Sequence, residues 1–560
     1  MAPTTPMGST RPHPITAGPS GAEQRERSRL GVPSSATEVV LVCESTHWDP
    51  NWLVDSNRYY RSFVRPTLDR VLTELTAEPR RVFDLECVFF VERYWRDRPG
   101  RRDEFAALVN EGRLRFTGCG VTTPDTLLPE DESLLRDLLI GQEWLRARGM
   151  ETEPRLLYLP DSFGHSPGLP ALMGAAGVEY AAICRIDGMR FPGADLEPAR
   201  NNPRPGTSAA RLIAAGTADF VWRAPDGSEV LTHWMSHGYG HGDMIASGGI
   251  SRALGLPVSW PDRRPRNVDR RVEGYLADLA PLGMTPYRLL AIGFDFVRPV
   301  PRLVELLDAW NDRHHEASGV WLVNAGLDDY FELIAGHRER LPTIELDPNP
   351  YWMGFYAGRP DLKTMARDLG RRLVAVGAAT ALEAHVGRGP HDAPDPAVAR
   401  SEPPSSRVEW WTAATSNHHD FVTGTAPDRV ANGEQSASLA AAIGTTPWPD
   451  RDPDYPDTAA GGEPLEVRDD GGLVVVVAPW GSVTFDPRRG GALVGFTDSG
   501  GEERLAAPSL ELRSYTDSGG LWRLGNELHG GRWALTDSSA RHPRRCGSSA
   551  TAASSTSRST

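Results

Sequence analysis

The sequence is nearly devoid of lysine. Lys363 is the only one, and the other cationic side chains among its 60 Lys and Arg residues are arginines. That bias fits a GC-rich coding sequence better than a physical requirement. Cysteine is also scarce. The five are Cys43, Cys87, Cys119, Cys184 and Cys546, an odd number with no Cys-x-x-Cys pair. A disulfide framework is therefore excluded as the organising device, and a reducing compartment fits better. Cys43, Cys87 and Cys184 lie in apolar runs and are expected as buried thiols. No stretch is long and apolar enough to span a membrane, and the N-terminal residues lack the apolar core of a signal peptide. A cytoplasmic location is expected. Positive charge is in deficit, with a net charge of −14. That argues against a nucleic-acid or anionic-membrane partner.

What remains is the composition of a globular protein. Of 560 residues, 39% are hydrophobic and 24% charged, enough to bury a sizeable core in several domains. Residues 1–36 are rich in Pro, Gly, Ser, Thr and Arg and read as a disordered tail. Residues 37–340 alternate between strand-like and helix-like runs. Strands are predicted at 38–43, 82–90, 113–118, 155–160, 181–186, 289–294 and 320–324. Amphipathic helices are predicted over Phe63 to Thr76, Glu132 to Arg148 and Pro301 to Asp312. This alternation predicts an α/β domain, a mostly parallel sheet with helices on both faces. An Arg-, Pro- and Gly-rich insertion, 195–275, contains a predicted hairpin, Phe220-Val221-Trp222 to Val230-Leu231-Thr232.

Residues 341–446 read as a small helical bundle. A helical stripe covers Leu362, Ala366, Leu369, Leu373 and Val376. After a Pro-rich break, Gly389 to Pro404, helices follow through Trp410-Trp411 and Ala437 to Ile443. Residues 447–536 turn β-like after a Pro/Asp-rich start and read as the beginning of a β-sandwich domain. Residues 537–560 are Ser/Thr/Ala/Arg text that cannot bury a core.

The chemistry gathers at strand ends. The run Glu38 to Cys43 leads to Thr46-His47-Trp48-Asp49-Pro50-Asn51-Trp52. A His and an Asp two residues apart past a strand end can turn toward one point, the ligand crevice of an α/β sheet. Leu156 to Pro160 delivers Asp161, Ala181 to Cys184 delivers Arg185, and Leu289 to Gly293 delivers Asp295. A distant stretch supplies His418-His419-Asp420. Two His and two Asp suit a divalent cation, zinc first, with a carboxylate left for proton transfer. Taken singly, each has a bland alternative: a strand-end cap for His47 and Asp49, a helix N-cap for Asp161, an ion pair for Arg185, a solvated loop carboxylate for Asp295, core packing for Trp52 and a satisfied core histidine for His419. His165 reads as a scaffold hydrogen-bonder. Lys363 is either a required point-charge ammonium or a chance survivor.

Five motifs in one order resemble the α-mannosidases of glycoside hydrolase family 38, over about residues 38 to 426. They are His47-x-Asp49-Pro50-x-Trp52, with Asn51 where the family has Gly; Asp161-Ser-Phe-Gly-His-Ser; Gly293-Phe-Asp295-Phe; Trp352-Met-Gly-Phe-Tyr356-x-x-Arg359-Pro360-x-x-Lys363; and His418-His419-Asp420 with Thr423-Gly424-Thr425. The resemblance implies one Zn2+ or another divalent metal, held by His47, Asp49, Asp161 and His419. It implies Asp161 as nucleophile and Asp295 as general acid and base, with retention and carboxyl groups about 5–5.5 Å apart. Arg185 would hold Asp161 ionised. Trp52, Arg185, Tyr239, Tyr356, Arg359, His418 and Asp420 would line the substrate site, with His418 behind the metal because adjacent residues rarely both face one ion. The partner would be a mannose-containing glycan or mannoside. Oligomeric state stays open, a homo-oligomer included.

Family members usually continue through larger C-terminal β domains, so a truncated C-terminus is expected here. Two other readings compete. One is a deacetylase-like metal-dependent carbohydrate hydrolase, with no covalent sugar intermediate. The other is an inactive, truncated sugar-binding protein.

Overall fold

The computed structural model describes residues 20–152, 155–189, 205–248, 260–349, 351–386, 404–449, 465–516 and 534–543. Parts of the 195–275 insertion, most of the Pro-rich break, residues 450–464 and both chain ends lie outside them. The chain divides into two compact units, 1–449 and 450–560.

The first unit is built on parallel strands. Strands β1 (Glu38–Glu44), β2 (Phe83–Cys87), β3 (Leu114–Gly120), β4 (Leu156–Leu159), β5 (Tyr180–Ile183), β6 (Asp219–Arg223), β7 (Glu229–Trp234), β8 (Tyr287–Ile292), β9 (Val320–Ala325) and β10 (Thr343–Ile344) follow in chain order. β1 lies between β8 and β9, parallel to both, with Val39 opposite Tyr287 and Trp321. β2 pairs with β3 in parallel. The third group runs β10-β6-β7-β5-β4. Its one antiparallel pair is the predicted hairpin β6–β7. Strands of all three groups enclose a common interior, since Cys43, Asp84, Thr117, Tyr158 and Ala291 line one small cavity. Strands buried on both faces need near-continuous apolar runs, which is why Val39 to Val42 are at most 1% exposed. Cys43, Cys87 and Cys184 are buried free thiols, as expected.

Three expectations need correction. The strand predicted over 82–90 stops at Cys87. Val88 turns to helical dihedrals, and the apolar residues that follow form one face of the helix Phe89–Asp97. Residues 20–36 of the tail predicted over 1–36 are ordered. Ser20 and Glu23 form a capping box for the helix Gly21–Arg29, a device that satisfies two orphan amides at once. Tyr287 and His337 both bond Glu23, and Arg27 Nη2 donates to the Ala36 carbonyl at 2.6 Å. Composition hid this helix because polar contacts anchor it. The third correction concerns the tail predicted from 537. Asp537 and Ser538 belong to the strand Ala534–Ser538, paired with Arg513–Thr516.

The helices of 341–446 pack on one another and on the α/β layer. Leu362, Leu369 and Leu373 of the helix Pro360–Val386 meet Trp410 and Ala413 of Pro404–Ser416 and Leu439 of Ser436–Thr445. The loop after Trp410-Trp411 is thereby delivered to the strand ends. Asn417 Nδ2 donates to the Ser133 carbonyl at 2.9 Å, and the Asp125 amide to the Asn417 carbonyl at 2.8 Å. The second unit, described by itself, is an antiparallel meander, Glu466–Asp470, Leu473–Ala478, Gly481–Asp486 and Ala492–Asp498, with a bulge at Thr484 and Phe485.

A buried ion cluster ties β1 to its neighbours. Arg81, 1% exposed, reaches Glu44 at 2.6 Å and Glu74 at 2.9 Å and donates to the Val300 carbonyl at 2.7 Å. Glu44 in turn accepts from the Val300 amide at 2.5 Å. Removing one partner strands the other charge in a low-dielectric interior. Arg81→Met is therefore expected to cost about 3–5 kcal/mol, read as a lower urea midpoint by tryptophan fluorescence. Arg81→Met with Glu44→Gln should recover part of that loss. An unchanged midpoint in the single variant would show that the cluster contributes nothing net.

Candidate active site

The site forms past the carboxyl ends of the parallel strands. Beyond β1 and β8 the chains stay together for one further bridge, and that bridge joins His47 to Asp295. The Phe296 amide donates to the His47 carbonyl at 2.9 Å. Phe296 adopts a left-handed backbone, φ 53°, unusual for an aromatic residue. Its ring stacks on Tyr59, centroids 4.2 Å apart, which holds the turn. A second isolated bridge, Pro124 to His418, brings the helical region's loop onto the chain beyond β3. Two residues from opposite ends of the unit, His47 and His419, thus meet with rings stacked at 5.0 Å.

The donor atoms crowd one point. His47 Nε2 lies 3.0 Å from Asp49 Oδ1 and 3.3 Å from His419 Nε2, and His419 Nε2 lies 3.4 Å from the same oxygen. One donor atom each from His47, Asp161 and His419 lies within 4.8 Å of the others. His47, Asp49 and His419 are all buried. Two ligands about 2.1 Å from one metal stand roughly 3–3.5 Å apart at angles of 90–110°. His47, Asp49 and His419 meet that spacing, and Asp161 lies beside the two histidines, so the N and O donors gathered here are of the kind a divalent cation takes. Asp49 Oδ1 is buried between these two imidazoles, a position that is costly unless something positive satisfies it.

Electrostatics points the same way. Burial opposes a charge on His47, but the carboxylates of Glu86 and Asp49 outweigh it and raise the imidazole well above its usual range. His419, also buried, is raised to about 9, chiefly by its bond to Asp49. Burial alone would neutralise Asp49, yet the two imidazoles hold it well below the usual carboxylate range. The surroundings favour positive charge at the centre of this cluster, which protons or a bound cation would supply.

The far side of each imidazole is fixed. His47 Nδ1 bonds both oxygens of Glu86, at 3.1 and 2.9 Å, and Glu86 also accepts from the Trp48 amide at 2.5 Å. His419 Nδ1 donates to the Thr123 carbonyl at 2.9 Å. Partners of this kind leave Nε2 as the free lone pair and orient the ring toward a metal. Sequence reasoning missed Glu86. Its signal is a carboxylate inside the fully buried strand Phe-Asp-Leu-Glu-Cys, where an acid must have a partner.

The two carboxyl groups expected to do chemistry sit in different surroundings. Asp161 is half-buried, and Arg185 Nε donates to its Oδ1 at 2.6 Å. Arg185 is itself fully buried in an aromatic box. Its guanidinium carbon lies 5.3 Å from the Tyr239 ring centre, 5.7 Å from Tyr351 and 5.2 Å from Trp352. Asp295 accepts from the Tyr239 hydroxyl at 2.8 Å. Its carboxyl is pushed up to about 7, by burial first and then by the negative charge of Asp49, with Asp161 adding to it. Asp161 caps no helix, because the next one, Leu169–Ala175, starts at Gly168.

The other expected residues are placed as follows. Trp52 is half-buried against the core that holds Trp48 and Phe90. Asp420 is buried and accepts from the Thr425 hydroxyl at 2.5 Å. Burial and the charge of Asp49 raise it well above the usual range. Tyr356 donates to the Phe163 carbonyl at 3.1 Å. Arg359 spends its donors on the Gly424 and Ala426 carbonyls, at 3.1 and 2.7 Å, and on Asp428. Lys363 donates to the carbonyls of Gly358 and Thr423, and burial lowers its ammonium to about 8. Both cations brace the loop that carries His418-His419-Asp420. Gly424 is required there: its φ is +83°, and a Cβ would meet the Arg359 side chain at 3.1 Å. His165 is buried and bonds Thr126, in its expected scaffold role.

Comparison with known proteins bears on the family. Residues 37–352 match the model of the glycosyl hydrolases family 38 N-terminal domain. Alpha-mannosidase F of Dictyostelium discoideum is 24% identical over 364 residues, covering 60% of this chain and 34% of its own length. Lysosomal alpha-mannosidase of Cavia porcellus is 25% identical over 445 residues, covering 71% of this chain and 40% of its own. The chain thus spans well under two thirds of these relatives. The crystal structure of an alpha-mannosidase from Enterococcus faecalis V583 shares the fold, with a TM-score of 0.56 at 19% identity, over 73% of this chain and 41% of that one. With its matching segment covering both the parallel strands and the convergent His47, Asp49, Asp161 and Asp295, the chain belongs to glycosyl hydrolase family 38.

Proposed function

We propose that this chain carries the active site of a retaining α-mannosidase, hydrolysing terminal α-mannosyl linkages of mannose-containing glycans or mannosides. The observation that carries the reading is the asymmetry of two carboxyl groups beside one cation-favouring cluster. Asp161 is ion-paired to the buried Arg185. Asp295 is protonated up to about 7 and oriented by Tyr239. A carboxylate paired with a buried arginine, set beside a carboxyl raised to about 7, is the equipment of a nucleophile and a general acid.

Asp161 attacks the anomeric carbon while Asp295 gives its proton to the departing glycosidic oxygen. Asp295, now ionised, takes a proton from water, and that water displaces the sugar from Asp161. Two displacements at one carbon retain its configuration. Arg185 holds Asp161 aimed, its Nε donating to Oδ1 at 2.6 Å. His47, Asp49, Asp161 and His419 would hold one Zn2+ or another divalent metal, which would supply Lewis-acid attraction for sugar hydroxyls. Trp52, Tyr239, Tyr356 and Asp420 form the wall of the sugar pocket, and Arg359 works from behind it by fixing the 423–426 loop. A deacetylase-like reaction would use Asp161 only as ligand or base and would leave no sugar attached to it.

Hydrolysis of an aryl α-mannoside should disappear on chelation and return with Zn2+. A 2-fluoro-mannosyl fluoride should add one sugar mass to the peptide holding Asp161; turnover without that adduct would favour the deacetylase-like alternative. The rate should fall as pH rises through about 7, because the reaction needs Asp295 protonated. Asp295→Asn should remove that alkaline limb and slow a poor leaving group by about 10²–10⁴-fold, while sparing kcat/KM for a dinitrophenyl glycoside, whose oxygen leaves without a proton; its kcat should still fall, because the base of the second displacement is gone. Glu86→Gln should weaken Zn2+ binding about 10–100-fold in a chelator competition. Unchanged affinity would show that Glu86 does not support His47.

A further inference from the structure

The adjacent histidines of the distant loop point different nitrogen atoms at different partners. His419 Nδ1 faces a carbonyl, that of Thr123, at 2.9 Å. His418 Nδ1 faces an amide, the Asp420 N–H, and accepts from it at 2.8 Å. A neutral imidazole has one N–H and one lone pair. The carbonyl forces the proton of His419 onto Nδ1 and frees Nε2 as a lone pair. The amide forces the opposite tautomer on His418: Nδ1 is the lone pair, and Nε2 carries the proton. Yet His418 Nε2 lies only 3.7 Å from Asp49 Oδ1, and His418 is fully buried. By position alone Asp49, His418, His419 and Asp420 make a candidate metal cluster, with one donor atom from each within 4.8 Å of the others. The hydrogen bond from Asp420 removes His418 from it. A nitrogen that carries a proton has no lone pair to give a cation.

We propose that His418 is a positioning residue, locked by the Asp420 amide as its Nε2–H tautomer, that presents this N–H to Asp49 Oδ1 and is thereby barred from ligating the cation itself. The role rests on the metal reading given above for His47, Asp49, Asp161 and His419. At 3.7 Å the contact is an electrostatic one, longer than a formed hydrogen bond. It still sets a fixed partial positive charge against a buried carboxylate oxygen, the one that His47 and His419 Nε2 also approach, at 3.0 and 3.4 Å. The loop backbone supplies the lock. The bridge from Pro124 to His418 and the bond from the Asp125 amide to the Asn417 carbonyl, 2.8 Å, fix His418 between two chain segments. Asp420 therefore acts twice, its side chain held by Thr425 and its amide choosing the tautomer of the residue two before it.

Two measurements test this. On the metal-free chain labelled with 15N-histidine, a long-range proton–nitrogen correlation should show His418 as a neutral ring with its proton on Nε2, the signal being assigned by its loss in His418→Gln. A proton on Nδ1 instead would overturn the proposal. The second measurement is Co2+ binding, followed by visible absorption and by chelator competition. The side-chain amide of His418→Gln can place an N–H where Nε2–H was, so its Co2+ spectrum should keep the parent's shape and its affinity should stay within about threefold. His418→Leu, which has no donor, should lose about 10-fold or more with the same spectral shape. His419→Gln should change the shape outright, because a ligand is gone. A spectrum of His418→Gln altered like that of His419→Gln would make His418 a ligand and sink the proposal, as would full affinity in His418→Leu. Failure of the parent chain to take up Co2+ would overturn the metal reading. The tautomer measurement, made without metal, stands or falls separately.

Discussion

Everything at this site depends on two imidazole nitrogens facing each other 3.3 Å apart beside one buried carboxylate oxygen. Two lone pairs at that distance repel, and so do two N–H groups. An N–H on one ring can bond its neighbour or Asp49, and a cation between them would engage both lone pairs and the Asp49 oxygen at once. The fold meets the cost of bringing these groups out of water by surrounding them with directed partners. Glu86 stands behind His47, the Thr123 carbonyl behind His419, and the Asp420 amide behind His418. Buried polar clusters hold together only when such accounting is nearly complete.

The parallel strands explain why the cluster forms where it does. β1 and β8 end together, and their last backbone pairing joins a metal-ligand candidate to the proposed acid, His47 to Asp295. β4 ends two residues before Asp161, and β5 two residues before Arg185. The pairing of β4 with β5, Leu159 opposite Ile183, therefore sets the Asp161–Arg185 ion pair in register. A slip in either pairing would separate groups whose chemistry requires contact. Distant packing is coupled to the site in the same way: Trp410 and Leu369 assemble the helices that present His419.

The two proposed catalytic carboxyl groups show how surroundings divide labour between identical functional groups. Asp161 has a guanidinium on it; Asp295 has a phenol and the negative field of Asp49 and Asp161. Tyr239 touches both arrangements, since its hydroxyl bonds Asp295 and its ring lies against Arg185. The alternation of strand and helix, the hairpin at Phe220 to Thr232, and the motifs holding His47, Asp49, Asp161, Arg185, Asp295 and His419 were legible in the sequence. The elements rest on local pattern, apolar period and turn residues, with polar residues just past several strands; His419 and the shared roles rest on the resemblance of the motifs to family 38. The ordered helix Gly21–Arg29 was not, because its composition is polar and its anchors, Tyr287 and His337, lie hundreds of residues away. Glu86 was missed for a related reason. A strand's acid gains meaning only from the histidine it meets.

By itself the sequence determined which residues stand at strand ends and which helices have apolar faces, since both follow from side-chain chemistry at short range. It also named the His418-His419 pair. Only the tertiary structure decided which ring nitrogen of each faces a donor and which an acceptor. That choice is made by the Thr123 carbonyl on a distant loop and by the turn of the backbone at Asp420, and no spacing in the chain encodes the direction of a hydrogen bond between segments brought together by folding.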